Sequence, residues 1–229
     1  MATIEELKHQ ITTADDLKSV VKTMKALAAV SIHQYEQAVA SQIEYSRTLE
    51  MGWQILLQRD PHLLFKPKIS PPKKVGLVVF GSDWGMCGQF NERIADYTQK
   101  VLCDRDIETL MVNVGSKIAT CLQTRGYNCD ASFNLPSSVT GITAVVRQIV
   151  LTLENWRQQN QINRIDLIYN CIDSGIHYYP RQLQIFPLNL VWLQQLKQKK
   201  WSGSSLPGFT MDKHKLASAL FQQYFFVTL

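Results

Sequence analysis

The chain has 229 residues, of which 45% are hydrophobic and 19% are charged. This composition is typical of a folded protein and argues against intrinsic disorder. The formal net charge of +5 is small, and the basic residues are dispersed. They form no stripe with interleaved aromatic side chains, which argues against a nucleic-acid-binding surface.

The first 51 residues contain no glycine or proline, and their apolar residues recur at helical spacing. Steps of three or four place these residues on one stripe of one helix, which we predict over Thr3–Leu57. Such a helix would be roughly 80 Å long at about 1.5 Å per residue. Because a small domain cannot bury a helix of this length, we expect the helix to be poorly ordered without a partner. We therefore interpret the role of the chain as mechanical or assembly-related. The stripe consists of Ile4, Leu7, Ile11, Ala14, Leu17, Val21, Met24, Ala28, Ile32, Tyr35 and Val39.

The middle of the chain alternates short β-branched runs with helical patterns. After a proline-rich linker at Lys66–Lys74, this alternation predicts an α/β domain with a mostly parallel sheet. An additional strand near the sheet edge is predicted over Arg181–Leu190, and a loop over Lys197–Phe209. The predicted strands are Val75–Phe80, Thr109–Val114 and Arg164–Cys171, and the predicted helices are Asn91–Asp104, Ser116–Arg125 and Thr140–Gln159.

A helical pattern restarts at Met211 and continues to Leu229, where the sequence ends without a capping residue. At equal rise per residue this segment could pair with about a third of the first helix. No apolar run approaches the length of a transmembrane helix, and the acidic start, with Glu5 and Glu6, is unlike an export or transit peptide. We therefore expect any membrane contact to go through partner proteins.

The glycine-containing loop Gly81–Gly88 lies between the first predicted strand and the following helix. Ligands often bind there in open α/β sheets. However, the glycine spacing matches neither dinucleotide-binding nor P-loop motifs, and no lysine follows to meet a phosphate. We interpret the loop as a tight turn in which Asp83 or Asn91 accepts hydrogen bonds from backbone N–H groups.

No catalytic or metal-binding constellation emerges from the sequence, and we predict no cofactor. Cys87 lacks a neighbouring base and is interpreted as a structural thiol. Asp166 and Asp173, at the third strand, are interpreted as solvated strand ends, although a carboxylate pair is an alternative. The five cysteines, which we expect to be reduced, contain no CxxC pair; they are Cys87, Cys103, Cys121, Cys129 and Cys171.

Three passages resemble the gamma subunit of F-type ATP synthases, the central rotor shaft. Lys22-Thr-Met-Lys-Ala-Leu-Ala-Ala29 is similar to a motif of the family's N-terminal helix. Gly81-Ser-Asp-Trp-Gly-Met-Cys-Gly-Gln-Phe-Asn91 is similar to its Ser-Asp-Arg-Gly-Leu-Cys-Gly-Gly-Phe-Asn loop. Ile185-Phe-Pro-Leu188 and the helix from Met211 fall where the family has its last strand and the start of its C-terminal helix. The resemblance extends over the whole chain.

The resemblance implies a long N-terminal coiled-coil helix, a Rossmann-like, mostly parallel α/β domain and the start of a C-terminal helix. The implied boundaries are 1–60 for the shaft helix, 61–73 for a linker, 74–205 for the foot and 206–229 for the C-terminal helix. The chain would then be a non-catalytic subunit that couples ion-driven rotation to ATP synthesis or hydrolysis. Its implied partners are the alpha, beta and epsilon subunits and the membrane c-ring, which places it peripherally on the cytoplasmic face of a membrane.

The residues that we expect to contact partners are on the first helix and in the glycine-containing loop. They are Lys18, Lys22, Met24, Lys25, Ala28, Asp83, Gly85, Cys87, Gly88 and Asn91. For the three lysines, solvated helix charge is the alternative interpretation.

Several positions depart from the family pattern. Trp84 replaces the loop arginine, Gln89 replaces a glycine, and Ser19 and Ser31 stand where lysines are common. The C-terminal helix of the family is also much longer. Two alternatives therefore stay open: a shortened gamma-like protein that binds ATP synthase components without transmitting torque, and a small α/β enzyme.

Overall fold

The computed structural model describes residues 3–61, 74–104, 107–160, 162–174 and 177–229. They form two compact units, one ending at Tyr45 and one spanning Ser46–Leu229. The helices are α1 (Ile4–Arg59), α2 (Phe90–Cys103), α3 (Ser116–Thr124), α4 (Ile142–Gln159), α5 (Leu190–Gln198) and α6 (Lys213–Thr228), and the strands are β1 (Lys74–Phe80), β2 (Glu108–Val114), β3 (Ala131–Phe133), β4 (Arg164–Ser174) and β5 (His177–Phe186).

Helix α1 is a single helix of 56 residues, which confirms the predicted long N-terminal helix. It begins in a capping box: the Thr3 hydroxyl accepts from the Glu6 backbone N–H, and the Glu6 carboxylate accepts from the Thr3 N–H. In the first unit its apolar stripe is uncovered, with Ile4 75% and Ile11 62% exposed. Burial begins only in the second unit, at Leu49. Most of the first unit therefore depends on helix propensity alone for its stability.

Hydrogen exchange should reveal this difference along α1. In the free protein, we expect amides before Tyr45 to exchange rapidly, because an unpacked helix opens locally at little cost. Amides from Trp53 to Leu57 should exchange as slowly as those of the central strand β1. Equal protection along the whole of α1 in dilute, monomeric protein would contradict this expectation.

The sheet has the order β3-β2-β1-β4-β5. Strands β1 to β4 pair in parallel, and β5 pairs antiparallel with β4 at the edge. The predicted mostly parallel sheet is thus confirmed. Alternate side chains of β1 point to opposite faces: Val78 packs in a core that includes Ile149 and Leu153 of α4, while Leu77 and Val79 pack with residues of α2 and α3. The sheet is therefore buried on both faces, which explains the continuous apolar run of its central strand.

Three elements differ from the sequence-based prediction. The edge strand predicted over Arg181–Leu190 begins earlier and ends at Phe186, because it forms a long hairpin with β4. Helix α5 was not anticipated, and its last two residues occupy the start of the predicted loop Lys197–Phe209. The three-residue strand β3 was also not anticipated. The predicted linker falls almost entirely at 62–73, outside the described residues.

Candidate partner-contact sites and the helix anchor

The last turns of α1 are embedded in the second unit, in a cluster that we call the helix anchor. It consists of Trp53, Leu56 and Leu57 of α1, Leu193 and Leu196 of α5, and Ala217 of α6. Trp53, Leu56 and Leu57 are at most 1% exposed. At about 1.5–3 kcal/mol for each fully buried large apolar side chain, this cluster holds the end of α1 firmly.

Two glutamines of α1 add polar contacts to the helix anchor. The Nε2 atoms of Gln54 and Gln58 both donate to the Lys199 carbonyl oxygen, each at 2.7 Å. Lys199 is the C-cap residue of α5, where backbone carbonyls lack partners within the helix. The two glutamines, one helical turn apart on α1, thereby satisfy the end of α5.

Further contacts fix the C-terminal end of α1. The Arg59 guanidinium donates to the carbonyl oxygens of Leu206 and Pro207, at 2.7 and 3.3 Å. Lys213, at the start of α6, forms an ion pair with Asp60. An ideal Cβ on Gly52 would lie 2.9 Å from Leu220 Cδ2, so the glycine permits close packing of α6. Neither these contacts nor the glutamine contacts could be read from the sequence, because the partners are about 140 to 170 residues apart.

The loop after β1, Gly81–Gln89, is tied to the ends of the next two strands. The Asp83 carboxylate accepts from the backbone N–H of Ser116, after β2, and from that of Leu135, after β3, each at 2.8 Å. The Lys117 N–H donates to the Ser82 carbonyl oxygen at 2.9 Å. Asp83 therefore accepts hydrogen bonds from backbone N–H groups, as predicted, and joins three loops at one edge of the sheet.

The buried Asn91 organises the other half of this loop. Its Oδ1 accepts from the Ser82 N–H at 2.9 Å, and its Nδ2 donates to Ser82 Oγ at 2.7 Å and to Cys87 Sγ at 3.3 Å. Cys87 is half-buried within this network, consistent with a structural thiol. The side chains of Asp83 and Asn91 thus support the loop from within.

Two large apolar side chains project from this supported loop. Trp84 is 83% and Met86 is 87% exposed. Gly85 lies between them, and neither Gly85 nor Gly88 has a heavy atom within 4 Å of an ideal Cβ position. A hydrogen-bonded loop that displays an aromatic residue and a methionine has the composition typical of a protein-protein contact. The sequence motif located this loop, but the exposure of these two residues required the structure.

We expect Asp83→Ala to lower the free energy of unfolding by about 1.5–3 kcal/mol, since two backbone donors lose a charged acceptor. Asp83→Asn should cost less, because one amide oxygen can still accept. Chemical denaturation followed by circular dichroism would measure both values. Equal stability of Asp83→Ala and the wild-type chain would show that this carboxylate does not hold the loops together.

The predicted contact residues of the first helix lie in the first unit, and all are exposed. Lys18, Lys22 and Lys25 are spaced by four and three residues and share one face of α1, while Met24 and Ala28 belong to its apolar stripe. They are separate in sequence from the loop residues, so these residues define two candidate surfaces rather than one site.

The Asp83 carboxylate accepts from the first N–H of α3, a position that favours an anionic group. Within the described ranges, no three His, Cys, Asp or Glu side chains could jointly hold a metal ion.

The interpretation of Asp166 as a solvated strand end was wrong: it is fully buried and accepts hydrogen bonds from Arg164 and Gln182. Burial raises the pKa of Cys121, and raises that of Cys129 to about 11.

Comparisons with known proteins identify the family to which this long helix and Rossmann-like α/β domain belong. A family model described as ATP synthase matches residues 3–229. The ATP synthase gamma chain of Buchnera aphidicola subsp. Diuraphis noxia is 24% identical over 236 aligned residues, covering 98% of this chain and 77% of that one. The gamma chain of Bacteroides fragilis is 24% identical over 209 residues, covering 87% and 70%.

A solved structure of the Tetrahymena thermophila mitochondrial ATP synthase central stalk and c-ring shares the fold. Its TM-score is 0.55 at 18% identity, with 87% of this chain and 88% of that chain covered. The chain belongs to the ATP synthase gamma-subunit family. None of the helices among its described residues is both long and apolar enough to cross a membrane.

Proposed function

We propose that this gamma-family chain acts as the rotating central shaft of an ATP synthase, coupling ion-driven rotation to ATP synthesis or hydrolysis. An asymmetric shaft contacts equivalent catalytic subunits differently, and each contact favours one of their open or closed states. Rotation then moves this bias around the catalytic ring. Relatives named ATP synthase gamma chain support this function rather than that of a regulatory protein that transmits no torque.

The helix anchor is the observation that carries the proposal. A shaft transmits torque only if its base cannot slip in the domain that is turned. The buried residues Trp53, Leu56 and Leu57 resist separation of α1 from the rest of the second unit, residues 74–229, which is called the foot from here on. The directional hydrogen bonds of Gln54 and Gln58 resist rotation of α1 about its axis. Torque applied to the foot can therefore pass into α1.

Two groups of residues on α1 are proposed to contact the alpha and beta subunits. The uncovered apolar stripe supplies the surface that a surrounding ring would bury. Lys18, Lys22 and Lys25 supply positive charge that would pair with acidic residues of the ring. We propose that the foot binds the epsilon subunit and the c-ring, so that the chain is held peripherally at the cytoplasmic face of a membrane through its partners.

The loop Gly81–Gln89 is proposed to contact a neighbouring subunit through Trp84 and Met86. The double variant Trp84→Ser, Met86→Ser should fold normally, since both side chains are exposed, but should weaken assembly at least about tenfold. Leu151→Ser, which changes an exposed leucine of α4, is the matched control. Co-purification with alpha, beta and epsilon subunits would measure the assembly of each variant. Unchanged assembly of the double variant would show that the loop makes no contact with a neighbouring subunit.

Function is tested by assembling the chain with alpha, beta, epsilon and the membrane sector in vesicles. The proposal expects ATP-driven ion uptake that requires this chain. A complex that contains the chain and hydrolyses ATP, but moves no ions in sealed vesicles, would instead support the regulatory alternative.

A further inference from the structure

A cavity of about 530 Å³ lies in the second unit, next to the helix anchor. Its volume is within the range of sites that hold drug-sized molecules, which is about 300–1,000 Å³. Trp53 of α1, Leu193 of α5 and Ala217 of α6 contribute both to the cavity wall and to the helix anchor. A molecule that fills this cavity would therefore touch all three helices of the anchor.

The walls of this cavity are largely aromatic and aliphatic. Phe186 and Phe221 meet edge to face with their ring centroids 5.9 Å apart. Trp53 and Leu188 add further apolar surface. Flat aromatic groups pack well against such rings in offset or edge-to-face geometry, which favours an aromatic ligand over a flexible chain.

The ionisable side chains that line the cavity are those of an arginine and a histidine. The Arg157 guanidinium lies 5.5 Å from the centre of the Phe186 ring, and His214 lines the wall from the start of α6. No aspartate or glutamate of the described ranges lines the cavity, and no described carboxylate is paired with Arg157. A guanidinium with free donors beside apolar rings is suited to bind a carboxylate or sulfonate in a forked geometry.

We propose that this cavity binds an aromatic organic acid, with the aromatic body between Phe186, Phe221 and Trp53 and the acid group on Arg157. Because the ligand bridges Trp53 of α1 and Phe221 of α6, its binding stiffens the helix anchor. The site would thus allow a small molecule to act on the joint through which torque passes, without touching a nucleotide site.

The test uses two fluorescent probes that share an aromatic body and differ in charge. Anilinonaphthalene sulfonate is the anion, and N-phenylnaphthylamine is its neutral counterpart. Both are titrated into the full chain and its variants. Ser218→Trp places a large side chain into the cavity from an exposed position of α6, and Ala219→Trp adds the same bulk at an exposed neighbour outside the lining. This pair separates the cavity from probe binding on the exposed stripe of α1.

We expect Ser218→Trp to remove one binding site for the anionic probe, and Ala219→Trp to retain that site. Arg157→Gln should lower the affinity of that site for the anionic probe about tenfold and leave its affinity for the neutral probe unchanged. The wild-type chain should also melt at a higher temperature with the anion bound. The proposal would be overturned if Ser218→Trp kept every binding site of the wild-type chain. It would also be overturned if Arg157→Gln weakened the binding of both probes equally.

Discussion

Trp53→Ala is expected to lower the free energy of unfolding of the foot by about 3–5 kcal/mol, the range typical of removing a large buried aromatic side chain. Trp53 is 1% exposed and packs against α5 and α6. Its removal leaves a space that the surrounding leucines can fill only in part. Denaturant unfolding followed by circular dichroism would measure the loss, as a lower midpoint at unchanged slope.

Trp53→Phe is the matched control for this variant. The indole Nε1 is buried and has no hydrogen-bond partner among the described residues, so phenylalanine gives up no hydrogen bond. It also removes a buried donor that is costly to leave unpaired. We expect Trp53→Phe to cost much less than Trp53→Ala. Equal losses would mean that the indole, rather than the packed volume, stabilises the anchor.

The same substitution should reduce coupling in an assembled complex. With a loosened anchor, α1 can yield relative to the foot, so part of each rotation is lost. We expect ATP hydrolysis to persist in complexes with Trp53→Ala while ion uptake per ATP hydrolysed falls. The double variant Gln54→Ala, Gln58→Ala should act in the same direction with a smaller effect on stability, since each hydrogen bond contributes about 0.5–1.5 kcal/mol.

Gly81→Val is expected to prevent normal folding of the foot. An ideal Cβ at this position would lie 2.3 Å from Ile118 Cβ and 2.7 Å from Asn91 Oδ1. Both neighbours are buried, and Asn91 organises the loop after β1. The cost should therefore exceed the roughly 1–3 kcal/mol usual for overpacking.

Expression level and cooperative unfolding would report the effect of Gly81→Val. Gly85→Ala is the control in the same loop, because its added methyl group meets no heavy atom within 4 Å. We expect that variant to stay within about 0.5 kcal/mol of the wild-type chain. Cooperative unfolding of Gly81→Val at normal stability would contradict the close packing described for this turn.

The spacing of apolar residues was sufficient to predict the helices and strands that bury a complete face in the core. The central strand β1 reads as one apolar run because helices cover both of its sides. Helix α5 was missed because it has only nine residues, and helices this short depend on tertiary contacts. A signal was nonetheless present: Asn189 is a favourable N-cap residue, and its side chain accepts from the N–H groups of Val191 and Trp192.

The candidate sites were only partly predictable for a related reason. The motif Gly81–Asn91 located the loop, and its polar residues were correctly interpreted as hydrogen-bond acceptors for the backbone. Their partners could not be identified, since Ser116 and Leu135 are 33 and 52 residues from Asp83. The helix anchor was not anticipated at all, because Gln54 and Gln58 resemble ordinary surface glutamines until α5 is placed beside them.

Single-molecule rotation tests the central claim most directly. The alpha and beta subunits of a complex containing this chain would be fixed to a surface, and a probe attached to the foot at Lys100, an exposed residue of α2, would be followed by microscopy. The account predicts unidirectional rotation of the probe when ATP is added, with more frequent slipping in Trp53→Ala. A probe that stays still while the same complexes hydrolyse ATP would contradict the conclusion that α1 and the foot transmit torque.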